Sequence, residues 1–161
     1  MTVALYATIW LALALLVAGE AGKRRAGVAL ASGWAWRYFA VGALLCLAHL
    51  LLAFHLRHGW SHAAASADIA RRTEELFGLA WTGGIWVDYA FAGLWLAGAL
   101  WWRFDPATYS RRPPALVWLV RAFAFVVIFN AALVFASAAG RMAGAPLVAA
   151  LAWTWRPTRR G

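Results

Sequence analysis

The chain has 161 residues, 65% of them hydrophobic and 13% charged, with a net charge of +9 and a mean hydropathy of +0.68. A bilayer core of roughly 30 Å takes about 20 apolar residues per helix, so the apolar runs leave no room for a separate soluble domain. The basic residues stand in short clusters between those runs rather than on one face of a soluble fold, which excludes nucleic acid as the expected partner and points to the membrane surface.

In chain order, the residues predict an all-α, polytopic transmembrane helix bundle forming one membrane domain over 1–161. Four long spans are expected at about 2–19, 34–56, 83–102 and 114–137. The first run has the length of a signal peptide but lacks a basic leader; its charges, Lys23, Arg24 and Arg25, follow the apolar stretch. The second run opens with Trp34, Trp36 and Arg37, an interfacial anchor in which Arg37 meets lipid headgroups or a partner. The third ends in Trp101, Trp102 and Arg103, and the fourth is opened by Pro113 and Pro114, which a first helical turn tolerates. The stretch 142–155 is shorter and is read as a fifth span or a re-entrant or interfacial segment, with Arg156, Arg159 and Arg160 placed as cytoplasmic positives. Cys46 lies inside an apolar run without a second cysteine, so it reads as a core residue.

Placing the basic connectors inside puts the N-terminus and the long 58–82 loop outside. Arginine dominates the basic residues and alanine is abundant, a bias of GC-rich bacterial genomes, so the expected membrane is the bacterial cytoplasmic (inner) membrane. Within the outer loop, Ala63 to Phe77 reads as an interfacial helix closed by Gly78, with Asp68–Arg72 and Arg71–Glu75 as i,i+4 pairs of opposite charge.

The chemistry-bearing residues fall into three groups. His55, His58 and His62 share a face if the second helix continues past the membrane, and His58 and His62 then have the spacing of a helical zinc pair. Gly59 between them weakens that arrangement. Placed by depth, His49 lies roughly 22 Å along the second span, Asn130 roughly 24 Å along the fourth, and Asp88 roughly 8 Å into the third. Tyr6, Thr8 and Tyr89 stand at a similar level, so a polar intramembrane layer is expected, with Asp88 hydrogen-bonded to His49, Asn130 or Tyr89. Arg121, roughly 10 Å from the inner end of the fourth span, is expected to snorkel to headgroups, to meet Glu20, or to contact an acidic lipid or partner.

A haem held by two histidines is excluded within this chain, because no second helix carries one. Nucleophile-elbow, phosphate-loop, zinc-protease and dinucleotide signatures are absent, so no catalytic residue is assigned. The leading expectation is therefore a non-catalytic accessory or scaffolding subunit of a larger bacterial membrane complex, working through the lipid bilayer, other membrane subunits or self-association, with no cofactor. The alternatives are a redox, quinone-interacting or metal-binding membrane protein using the His49–His62 segment with Asp88, and a small proton-coupled transporter. Ala90, Gly93 and Ala97 form a small-residue stripe suited either to the internal bundle or to another subunit.

Overall fold

A computed structural model describes residues 2–26, 28 and 33–156. Arg159 and Arg160, expected as cytoplasmic positives, lie outside them. The fold is all-helical, with no strand among the described residues. The helices are α1 (Thr2–Ala26), α2 (Trp34–His58), α3 (His62–Phe77), α4 (Gly84–Phe104), α5 (Pro106–Ser110), α6 (Pro114–Phe129) and α7 (Ala138–Thr154), with a π-helical turn, Asn130–Val134, prolonging α6.

Three segments are long and apolar enough to cross a membrane: Val3–Arg25, Trp34–His58 and Pro114–Val134. The expected count of four is not reached on those grounds. Although α4 has 21 residues, Asp88 and four amphipathic tryptophans, 86, 95, 101 and 102, lower its hydropathy. The first span is longer than expected because Glu20, Lys23, Arg24 and Arg25 continue the helix instead of ending it. The fourth is shorter. The π-turn closes with Phe135 N–H donating to Asn130 O at 2.9 Å, and Ser137 caps α7 by accepting from Gly140 N at 3.2 Å. At about 1.5 Å per residue, the 17 residues of α7 reach about 25 Å.

α1 and α2 form the most extensively packed pair. Their backbones approach closely where a side chain would obstruct them: a Cβ on Gly19 would stand 2.8 Å from Phe39 Cβ, and one on Gly42 would stand 3.0 Å from Ala12 O. α4 packs across this pair through tryptophans whose indole N–H groups find backbone acceptors. Trp95 donates to Phe39 O at 3.0 Å, Trp36 to Ala99 O at 2.9 Å, and the fully buried Trp102 to Val28 O at 2.7 Å. Such bonds let large aromatic surfaces be buried without an orphaned donor. The core runs along these faces through Leu13, Leu16, Phe39, Ala43, Phe91 and Trp95.

The turn between α2 and α3 positions the chemistry. Gly59 (φ 52) and Trp60 (φ 63) are consecutive left-handed residues that reverse the chain. Trp60 N–H then donates to Phe54 O at 2.9 Å, and Ser61 caps α3 by accepting from Ala64 N at 3.2 Å. Gly78, also left-handed (φ 70), closes α3 where the sequence indicated.

Candidate functional site

Within the expected polar layer His49 and Thr8 are in contact, while His49, Asp88, Asn130, Tyr6 and Tyr89 make no hydrogen bond to one another. His49 turns toward α1: its Nδ1 lies 2.9 Å from Leu5 O and 3.3 Å from Thr8 Oγ1. Because a carbonyl only accepts, Nδ1 carries the proton and donates to Leu5 O. Asn130 Nδ2 donates back to Val126 O of its own helix at 2.8 Å, and Tyr6 faces outward, 52% exposed. Tyr89 Oη lies 3.2 Å from His62 Nδ1. The hydrogen bond expected from Asp88 to His49, Asn130 or Tyr89 is therefore not made. Rotation about each helix axis turns these side chains to different neighbours.

Asp88 is half-buried and has no hydrogen-bond partner among the described residues. It lines a partly open cavity of about 60 Å³ between α2, α3 and α4, together with Leu50, Phe54, His58, Ile69, Ile85 and Tyr89.

The chain reversal at Gly59 separates His62 from His55 and His58 of the expected metal face. His55 accepts from Trp60 Nε1 at 3.1 Å, while His62 stands over the Trp86 ring, with centroids 5.2 Å apart. Among the described residues no group of three His, Cys, Asp or Glu side chains converges to hold a metal ion. His58 lies between two spaces: it lines the Asp88 cavity and also an open cleft of about 580 Å³ with Arg57, Asp68, Arg71 and Arg72. In that cleft Asp68 binds Arg71 and accepts from Arg72 Nε at 3.0 Å, and Arg71 reaches Glu75 at 2.9 Å. Burial pushes the Asp68 carboxyl upward, but the two guanidiniums outweigh it and hold the group below the usual carboxylate range.

The most completely built polar cluster is at the opposite end, beside Lys23–Arg25. Glu20 is 7% exposed, and its Oε1 accepts from Lys23 Nζ at 2.6 Å. Its Oε2 accepts from Trp155 Nε1 at 2.7 Å and faces Arg121 at 3.5 Å. Lys23 also donates to Tyr109 Oη at 3.0 Å, with its ammonium 3.4 Å from the centre of the Phe39 ring. Tyr109 stacks on Trp102 at 5.7 Å with ring planes 5° apart. Arg121 thus meets Glu20, one of the expected alternatives. Arg37, the other expected lipid or partner contact, is exposed.

This cluster gathers α1, α2, α5, α6 and the end of α7 around one carboxylate, with Arg24 donating to Trp153 O, Thr154 O and Arg156 O at 3.0, 3.2 and 2.8 Å. Each carboxylate oxygen of Glu20 has its donors, so the chemistry is cohesion rather than exchange. The sequence held a partial signal: Glu20 and Lys23 stand three apart at the end of an apolar run, and Lys23 is the only lysine among the basic residues. Nothing in the sequence pointed to Trp155, Tyr109 or Trp102 as their partners. The small-residue stripe Ala90, Gly93 and Ala97 faces outward, and a Cβ on Gly93 would meet nothing within 4 Å. Compared with known protein families, curated proteins and solved structures, the chain matches none.

Proposed function

We propose that the protein is a non-catalytic subunit of a bacterial cytoplasmic membrane complex, packing against the spanning helix of another subunit. In this reading α1, α2, α4 and α6 cross the bilayer, α7 is a shorter fifth crossing, the N-terminus is outside, and α3 lies on the outer surface. α4 reaches about 31 Å, long enough to cross, and its indoles sit at the interfaces or against backbone acceptors.

The observation that carries the reading is the outward face of α4. Ala90, Gly93 and Ala97 lie on it beside Trp86, Leu94 and Leu100, all exposed. Small residues there admit the backbone of another helix, while the flanking large residues supply contact area. α6 supports the same conclusion: Leu116, Trp118, Leu119, Val126 and Phe129 are exposed along it, leaving an apolar face to acyl chains or partner helices.

Native mass spectrometry after extraction in mild detergent tests the reading. The expected species contains this chain with a second chain, and Gly93→Leu dissociates it without shifting the unfolding midpoint, because a Cβ at Gly93 meets no atom of the described bundle within 4 Å. A second copy of the same chain in the complex would assign the α4 face to self-association. A lone monomer, or an assembly indifferent to Gly93→Leu, would overturn the proposal.

A further inference from the structure

We infer that Asp88 is a proton-binding site within the membrane that exchanges with the outer aqueous phase through His58.

The inference begins with what surrounds the carboxylate. The cavity is walled largely by apolar side chains: α2 contributes Leu50, Ala53 and Phe54, and α3 contributes Ala65 and Ile69. From α2, the titratable groups facing Asp88 are His58, which lines the cavity, and the buried Cys46 thiol, which feels its charge; from α4 the group is Tyr89. α3 presents none to the cavity. Its Asp68, Arg71 and Arg72 line the outer cleft instead. Among the described residues no arginine or lysine lines the space around Asp88. Glu20 illustrates the alternative, since its buried carboxylate is held by a lysine, an arginine and an indole. A carboxylate without such partners in a bilayer is costly while charged, and a proton is the neutralising ligand that this space accommodates.

The second element is access. His58 is the titratable side chain common to the Asp88 cavity and the open cleft. A cavity of about 60 Å³ has room for about two waters at about 30 Å³ each, enough to bridge an imidazole and a carboxylate. Inward transfer is balanced without any redox change. A hydronium ion in the cleft gives a proton to one ring nitrogen of His58 and becomes water, and the other nitrogen releases its proton through the cavity. The carboxylate of Asp88 becomes the neutral acid, and His58 returns to a neutral imidazole in its other tautomer. Outward transfer is the reverse.

This inference rests on α4 crossing the bilayer with its first turn outside. It does not require a partner subunit, so it and the Gly93→Leu test fail independently. Dicyclohexylcarbodiimide, which modifies protonated carboxyl groups in apolar surroundings, is the probe. The protein is reconstituted in phosphatidylcholine vesicles of known sidedness, and modification is mapped by peptide mass spectrometry. Asp88 is expected to be modified, at a rate falling about tenfold for each unit of outer pH above its midpoint. Asp88→Asn removes the label. After a jump in outer pH, His58→Gln slows the change in labelling by about a hundredfold, the scale of a lost proton-transfer group. Absence of Asp88 labelling at every pH, or labelling independent of pH, overturns the site. A response to inner pH alone, or an unchanged response in His58→Gln, overturns the route. The first two outcomes need no variant.

Discussion

Removing the carboxylate of Glu20 should destabilise the protein far more than removing it together with its principal partner. Glu20→Gln leaves Lys23, whose side chain is 8% exposed, without its anion, and takes from Arg121 and Trp155 the oxygen they share. Breaking a buried pair by removing one partner costs about 3–5 kcal/mol. Lys23 retains Tyr109 Oη and the face of Phe39, which places the expected loss near about 3 kcal/mol. Arg121 is 29% exposed and sits at 3.5 Å, so Arg121→Gln should cost no more than about 1 kcal/mol. In Glu20→Gln with Lys23→Met the stranded charge is gone, and the loss should fall to about 1 kcal/mol. Lys23→Met alone leaves Glu20 with Arg121 and Trp155 and should cost about 1 kcal/mol, so the coupling energy between positions 20 and 23 is about 3 kcal/mol. Unfolding by dodecyl sulfate in mixed micelles, followed by tryptophan fluorescence, measures the wild type and these four variants. A Glu20→Gln loss below about 0.5 kcal/mol, or a coupling near zero, would refute cohesion through this carboxylate.

Two further outcomes follow from the packing and the charges. Gly42→Ala should lower stability by about 1–3 kcal/mol, because the added methyl meets Trp95 Cζ2 at 2.7 Å and the immobile carbonyl of Ala12 at 3.0 Å; unfolding midpoints check it. The Asp68 carboxyl is held below its ordinary range by Arg71 and Arg72, so its stabilisation of α3 is present above about pH 4 and lost as pH falls through the lowered value. Amide hydrogen exchange should show α3 losing protection on acidification through that window, and Asp68→Asn should show low protection with little pH response.

The sequence made the helices legible because hydropathy and charge punctuation are local. α3 is the clearest case: the Ser61 cap, the Asp68–Arg72 and Arg71–Glu75 pairs, and Gly78 all lie within the segment they define. The break in α6 was not legible. There α7 passes so close that a Cβ on Gly144 would stand 3.0 Å from Ala132 Cβ, a tertiary contact with no signature in either segment alone. Depth along a helix is arithmetic, so Asp88, His49 and Asn130 could be assigned similar levels; the direction of each side chain depends on packing, which sent His49 to Leu5 and Asn130 to Val126. The Glu20 cluster was half legible for the same reason. Lys23 is its neighbour in sequence, whereas Trp155 comes to it only when α7 folds back.

Sidedness tests the account most directly, because lipid must surround the apolar helices with the arginine connectors on the cytosolic side. Glu74 on α3 and Ser110 on α5 are both exposed, and native Cys46 is buried. With a membrane-impermeant maleimide on intact cells, Glu74→Cys should be modified at once and Ser110→Cys only after the membrane is opened. Modification of Ser110→Cys in intact cells, or protection of Glu74→Cys, would contradict the proposed crossing of α4.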